Sequence, residues 1–308
     1  MTERVLVIGA GGFIGRSLCR ALISKGARVR AVSRSGHNPN MTDEEHVASD
    51  CQTASELTRL LTGVDAVVYL AASSTPGSSA GNPTAELGGN LAPLVATLEA
   101  LQTQPTIPLV YFSSAGALYN ADSPVACRET DLPQPRSYHG AAKVAAEHFI
   151  GAWARQFDGS ATIIRPSNVY GPGQGERAGF GIVPTALGCI RRGETLTVWG
   201  DGSAVRDYLY IDDLVDLALT ALEQPAARNV HTLNAASGES VSLNKLFSLA
   251  EMASGQTLQR EHVESRAVDA SRVTISADCA RQALRWEPAV PLAEGLKRTW
   301  LWLNTSQH

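Results

Sequence analysis

Through the first half of the chain, short apolar runs of strand length alternate with segments whose apolar residues recur at helical spacing. Val5–Ile8 is a continuous apolar run of the kind found in strands buried on both faces. Phe13–Ser24 follows, with Ile14, Leu18, Leu22 and Ile23 on one helical face. The same reading predicts strands at Arg28–Val32, Ala66–Leu70, Leu109–Phe112 and Ala161–Ile164. Between them it predicts helices at Ser55–Leu61, Leu91–Leu101 and Ala141–Phe157. Strand–helix alternation of this kind builds an α/β, doubly wound parallel sheet. After Arg165 the regularity fails, and Pro and Gly punctuate short elements. A strand and turn are expected around Val198–Gly202, and helices at Ile211–Leu222 and Asn244–Ser254. The boundary implied is a sheet domain over 1–165 and a smaller lobe over 166–308, from which some segments return to the sheet.

Composition narrows the picture. The chain has 308 residues, enough to bury a large core. Its 26 Lys and Arg against 30 Asp and Glu, with no basic run, argue against a nucleic-acid partner. Five scattered cysteines read as reduced thiols, and no His/Cys/Asp/Glu set has the spacing of a metal site. No apolar stretch approaches the ~20 residues that cross a bilayer. The Val5–Ile8 run is broken at once by Gly9, unlike a signal-peptide core. A cytoplasmic protein with no membrane partner is expected.

The chemistry begins at Gly9-Ala10-Gly11-Gly12-Phe13-Ile14-Gly15, which closes a predicted strand and opens a predicted helix. Gly9 permits a tight turn, Gly12 lets the backbone approach a pyrophosphate, and Gly15 lets helix and strand pack closely. The pyrophosphate then rests on the positive end of the helix. Such a turn binds a nicotinamide dinucleotide. An acidic residue at the end of the second strand would bind the 2′-hydroxyl of NAD, but Ser33-Arg34 stands there. A guanidinium beside a small hydroxyl suits a 2′-phosphate, so the pair favours NADP over NAD. Asp50, between the predicted strands Arg28–Val32 and Ala66–Leu70 and expected at the end of a further short strand there, is a candidate acceptor for the adenine amino group.

These motifs, with Leu70-Ala71-Ala72, Ser113-Ser114 and Arg165-Pro166-Ser167-Asn168-Val169-Tyr170-Gly171-Pro172-Gly173, resemble the extended short-chain dehydrogenases. Trp199-Gly200-Asp201-Gly202-Ser203, Arg206-Asp207-Tyr208, Asp212-Asp213-Leu214, Arg266 with Asp269, and Leu284-Arg285-Trp286-Glu287-Pro288 resemble the branch containing nucleotide-sugar epimerases and dehydratases. The resemblance runs from about Val5 to Trp300. It implies a Rossmann-type dinucleotide domain and a C-terminal lobe for a nucleoside diphosphate sugar. It adds Phe13, Ile14, Ala71, Ala72, Asn90, Lys143 and Pro166 to the cofactor-binding candidates. Arg206 and Arg266 become candidate forks for the diphosphate, Asn168 a donor to it, and Asp269 an acceptor from the ribose. Val198, Trp199 and Tyr208 complete the substrate candidates. The resemblance also implies a homodimer through the helices near Leu91–Leu101 and Ala141–Phe157.

The family uses a Tyr as acid/base, with a Lys one helical turn later that binds the nicotinamide ribose and favours the phenolate. Here Ser137-Tyr138-His139-Gly140-Ala141-Ala142-Lys143 places a histidine four residues before the lysine. On a helix His139 and Lys143 lie about 40° apart, and Tyr138 about 140° from Lys143. Three readings stay open: His139 is the acid/base, Tyr138 swings into place, or redox chemistry has been lost. The usual hydroxyl position falls on Ala115, leaving Ser114 as the candidate partner for the reacting oxygen. The acidic pair of sugar dehydratases is replaced by Gly116 and Ala117, which excludes elimination of water. The expected activity is NDP-hexose 4-epimerisation through a transient 4-keto sugar. An NADPH-dependent 4-keto-sugar reductase and a non-catalytic nucleotide-sugar or NADP(H)-binding protein are the alternatives.

Overall fold

The computed structural model describes residues 3–35, 46–74, 81–119, 125–176, 181–227, 229–265 and 271–305. The chain divides into two compact units. The first holds residues 1–118, 135–165 and 215–233, and the second holds 119–134, 166–214 and 234–308.

The first unit is a Rossmann-type α/β layer structure. Its strands are β1 (Arg4–Ile8), β2 (Arg28–Ser33), β3 (His46–Ala48), β4 (Ala66–Tyr69), β5 (Leu109–Phe112), β6 (Ala161–Pro166) and β10 (Val230–Ala235). They form one seven-stranded sheet in the order β10-β6-β5-β4-β1-β2-β3. β1 pairs in parallel with β2 on one side (Val5 opposite Val29) and β4 on the other (Val5 opposite Ala66). The strand order therefore reverses at β1, and in open α/β sheets ligands bind at the carboxyl ends of the strands beside such a switch point. Every residue of β4, β5 and β6 is buried, as helices on both faces require. Leu6, Ile8, Val67, Tyr69, Leu94, Leu101, Leu109, Ile150 and Trp153 join sheet and helices into one core.

The helices of this unit are α1 (Phe13–Ser24), α2 (Ala54–Leu60), α3 (Pro83–Glu86), α4 (Ala92–Leu101), α5 (Ala115–Leu118) and α6 (Tyr138–Phe157). Two starts differ from the sequence reading. A single π-helical turn, Leu87–Leu91, precedes α4. α6 begins at Tyr138 rather than Ala141, because Ser137 caps it by accepting from the Gly140 N–H at 3.1 Å. The earlier start puts Tyr138 and His139 on the helix. β3 (His46–Ala48) is the short strand expected ahead of Asp50, while β10 carries too weak an apolar pattern to be predicted and joins by pairing at the sheet edge. On α6, Glu147 is paired with Arg165 from β6 at 2.5 Å and accepts from Ser113 Oγ at 2.5 Å. That network satisfies an otherwise costly buried charge.

The second unit is more regular than its Pro- and Gly-rich sequence predicts. It contains β7 (Asn168–Tyr170), α7 (Ile182–Arg192), β8 (Leu196–Trp199), β9 (Val205–Tyr210), β11 (Ser240–Ser242), α9 (Leu243–Ser254), β12 (Arg260–Val263), α10 (Asp278–Leu284) and α11 (Leu292–Thr305). The helix α8 (Ile211–Glu223) runs from this unit into the first. β11-β9-β7 and β12-β8 form two small sheets. Pro184 lies in the first turn of α7, where a proline costs no hydrogen bond, so it does not interrupt the helix.

Candidate functional site

The glycine turn has the shape its sequence demands. Gly9 has φ +94°, and a Cβ there would lie 2.6 Å from the Ala71 nitrogen. A Cβ on Gly15 would lie 2.3 Å from the Gly9 carbonyl oxygen. The Gly9 and Ala10 amides both donate to the Val32 carbonyl, and the Gly12 amide donates to Gly9. α1 starts at Gly12 with no side-chain cap and no acidic residue in its first turn. Its first amides, including those of Phe13, Ile14 and Gly15, thus keep the orphan-donor end that attracts a phosphate. The shape and donor set fit a dinucleotide pyrophosphate.

Around this turn, Ser33 Oγ is hydrogen-bonded to His46 Nε2 at 3.2 Å, and Arg34 is exposed just past β2. Asp50 is exposed after β3. Ala71 is half-buried and Ala72 exposed after β4.

Ala71 also lines a cavity with Asn90, Tyr111, His139, Ala142 and Lys143. Ala71, whose nitrogen lies against Gly9, therefore faces the same cavity as His139 and Lys143 of α6. His139 is 7% exposed, whereas Tyr138, the first residue of the helix, is 48% exposed. His139 Nδ1 is hydrogen-bonded to Ser74 Oγ at 3.0 Å and lies 3.9 Å from Glu86 Oε2. Ser74 Oγ accepts from Asn90 Nδ2 at 2.7 Å, and the same amide donates to Glu86 Oε2 at 2.5 Å. Asn90 Oδ1 in turn accepts from the Ser73 amide at 2.7 Å. Burial, then the Lys143 ammonium, push the His139 pKa down to about 4, against the opposing pull of Glu86. At neutral pH the ring is uncharged.

One turn on, Lys143 Nζ donates to the Phe112 carbonyl at 2.8 Å and sits 4.8 Å from the Tyr111 ring centroid. Burial lowers its pKa to about 8, opposed by Glu147 and then Glu86. It therefore stays mostly charged at pH 7. Ser114, the candidate hydroxyl, is half-buried, and its carbonyl accepts from the Ala117 and Leu118 amides. Its neighbour Ser113 is committed to Glu147.

In the second unit, Asn168 is exposed and its amide donates to the Asp207 carbonyl at 2.8 Å. Trp199 is 48% exposed, while Val198 is buried and can offer a ligand only its backbone. Arg206 is half-buried and donates to the Val205 carbonyl. Tyr208 is buried, with a hydroxyl that has no hydrogen-bond partner. Arg266 and Asp269 lie outside the described residues. Pro166 ends β6 and is buried.

The NAD dependent epimerase/dehydratase family model matches residues 5–236. The chain belongs to that family. It is 31% identical to a UDP-glucose 4-epimerase of Mycolicibacterium smegmatis, over 96% of this chain and 97% of that one. It is 25% identical to a dTDP-4-dehydro-6-deoxyglucose reductase of Escherichia coli, over 96% and 95%. The structure superposes on a Thermotoga maritima UDP-glucose 4-epimerase with UDP-glucose at a TM-score of 0.92 and 29% identity, covering 99% of this chain and all of that one. Other solved structures of the same fold hold NAD.

Within the family frame, several motif residues turn out to hold the fold together. Asp207 is fully buried and accepts from Ser167 Oγ, Ser237 N and Oγ, and Gly238 N. Burial pushes its carboxyl up, and those donors pull against it. Asp213 accepts from the Ala289 and Val290 amides, and its carbonyl accepts from Trp286 Nε1, so it pins the 286–290 stretch. Sequence reasoning missed Ser74 and Glu86. The only sign of Glu86 was its place four residues before Asn90, a spacing that any exposed helix shares. No group of described residues has the makings of a metal site. Among the described residues no helix is long and apolar enough to cross a membrane.

Proposed function

We propose that the protein is a 4-epimerase of a nucleoside diphosphate hexose, working through a transient 4-keto sugar, with His139 as acid/base. The observation that carries this is the shared cavity of His139, Lys143 and Ala71 beside the glycine turn. The whole-length likeness to UDP-glucose 4-epimerases supports the substrate class.

In this reading Gly9, Gly12, Phe13, Ile14, Gly15, Ala71, Ala72, Asn90, Lys143 and Pro166 hold the dinucleotide, with Ser33, Arg34 and Asp50 around its adenosine. A bound dinucleotide would supply the acceptor and donor of hydride for sugar C4. His139 takes the proton of the 4-hydroxyl as the 4-keto group forms, then returns it after the sugar has presented its other face. The ring suits that work because it is neutral before the step. Lys143, a buried positive charge, would hold the nicotinamide ribose, and Ser114 would hydrogen-bond the reacting oxygen. Tyr138 points away from this role by its exposure. Asn168, Val198, Trp199, Arg206, Tyr208, Arg266 and Asp269 are assigned to the nucleoside diphosphate. The same reading includes a homodimer through α4 and α6, where Phe149 is 46% exposed.

A second reading, an NADPH-dependent reductase of a 4-keto sugar, is favoured by Arg34 standing where NAD enzymes carry an acidic residue. One assay separates these. An epimerase interconverts UDP-glucose and UDP-galactose with no net consumption of NAD(P)H, and a reductase consumes one NADPH for each 4-keto sugar. Tight binding of UDP-sugars with neither turnover would overturn both in favour of a binding protein.

A further inference from the structure

We propose that Glu86 is a positioning residue for His139, whose carboxylate orients the imidazole and stabilises its protonated form. This rests on the reading of His139 as the acid/base and extends it to a residue that no motif marks.

The argument starts from charge. A tyrosine acid/base cycles between neutral and negative, and a neighbouring ammonium favours its negative form. A histidine cycles between neutral and positive, so the same ammonium opposes its working form. Replacing tyrosine by histidine while keeping Lys143 therefore calls for a compensating anion. Glu86 is the carboxylate on hand. It is 3% exposed, which is rare for a glutamate. Its Oε2 is held by Asn90 Nδ2 at 2.5 Å and lies 3.9 Å from His139 Nδ1. Its Oε1 is buried with no hydrogen-bond partner. The carboxylate is thus under-satisfied on one oxygen and faces the ring with the other, so a positive charge on the ring would offset part of the cost of burying it.

The groups facing His139 come from four elements. Glu86 and Asn90 come from the 83–91 segment, Ser74 from the end of the β4 loop, Tyr111 from β5, and Lys143 from its own helix. Glu147, further along α6, is engaged by Arg165 and Ser113. Among the described residues, the charged groups acting on the ring are one positive, Lys143, and one negative, Glu86. Removing the negative one leaves Lys143 alone to oppose protonation. Adding a proton to the ring turns the 3.9 Å separation into an attractive ion pair, and an approach of about 1 Å would make it a hydrogen bond. In this proposal Nδ1 faces Ser74 and Glu86, and Nε2 is assigned the proton exchanged with substrate. The substrate O–H bond breaks, the Nε2–H bond forms, and Glu86 balances the charge; the return step reverses this.

The test is an NMR titration of imidazole-labelled protein. The chain has seven histidines, and the His139 signal is identified by its loss in His139→Gln. The same titration is run on Glu86→Gln, which keeps an acceptor for Asn90, and on Glu86→Asp. In Glu86→Gln the ring should stay neutral at the pH where the wild-type ring is half protonated, a drop in midpoint of about one unit or more. kcat should fall roughly 10- to 100-fold with KM within a few-fold, and Glu86→Asp should recover part of both effects. An identical His139 midpoint in wild type and Glu86→Gln overturns the proposal. If Glu86→Gln does not fold, Glu86→Asp decides alone, since its longer gap should lower the midpoint and an unchanged one overturns the proposal. Failure of the underlying reading is a separate result, namely full turnover by His139→Gln.

Discussion

The β1–α1 turn and the first turn of α6 are both helix starts next to the same cavity, and they are built on opposite principles. At the glycine turn the absence of side chains is the device. Ala71 nitrogen and the Gly9 carbonyl leave no room for a Cβ at Gly9 or Gly15, and no side chain caps the first amides of α1. At α6 the device is the side chains themselves. Ser137 caps the helix, and His139 is embedded among Ser74, Glu86, Asn90 and Lys143. The first start has the shape and helix dipole to hold a ligand. The second sets a protonation state. A backbone device is local and tolerates no substitution, whereas a side-chain device is distributed and can be retuned from a distance.

Breaking the first start should have the largest effect. Gly15→Val should push its side chain into the Gly9 and Ala10 backbone, cost 3 kcal/mol or more of stability by order of magnitude, and abolish NAD binding. Denaturant unfolding and fluorescence titration with NADH measure the two, and near-normal values for both would contradict the cradle. At the second start, His139→Gln should lower kcat/KM by roughly 10²- to 10⁴-fold while leaving NADH binding within a few-fold. Tyr138→Phe should stay within about two-fold of wild type, since an exposed hydroxyl off the cavity has no part in the step. If Tyr138→Phe is the damaged variant, the roles of the two residues are exchanged.

The contrast sharpens with pH. The His139 pKa is depressed to about 4 in the folded chain, below the ordinary ~6.5, so the unfolded chain binds the extra proton first. The stability this site contributes is complete above pH 6.5 and is lost as pH falls from there toward 4, by up to roughly 3 kcal/mol. Replacing His139 by Gln should flatten that part of the stability–pH curve, and an unchanged slope would show that the ring is not held neutral. The smallest effect belongs to the rim of the glycine turn. If Arg34 meets a 2′-phosphate, Arg34→Ala should weaken NADP binding about tenfold and leave NAD binding nearly unchanged. Equal effects on both, or NAD as the cofactor that copurifies by mass, would remove the case for NADP.

Much of the first unit was legible in the chain. Continuous apolar runs such as Val5–Ile8 and Leu109–Phe112 mark strands buried on both faces, and the spacing of Ile14, Leu18 and Leu22 marks a helix packed on one side. The second unit was less legible. α7 carries Pro184 inside its first turn and two arginines at its end, and α11 follows directly on Pro291, so turn signals hid two full helices. The candidate catalytic face was half legible. The spacing from His139 to Lys143 followed from helix geometry alone, but which of Tyr138 and His139 lies inside depended on where α6 begins.

What the sequence by itself determined is the glycine turn, the strand–helix order around it and the histidine at the fourth place before Lys143. Each is a local pattern, set by sterics or by helical period within a few residues. Only the tertiary structure decided that Glu86 is buried, that Ser74 reaches His139 while Asn90 ties Ser74 to Glu86, and that Tyr138 is exposed. Those facts depend on segments about 50 to 65 residues apart in the chain, brought together by the parallel sheet, and a solvated glutamate and a buried counter-charge are written with the same letter.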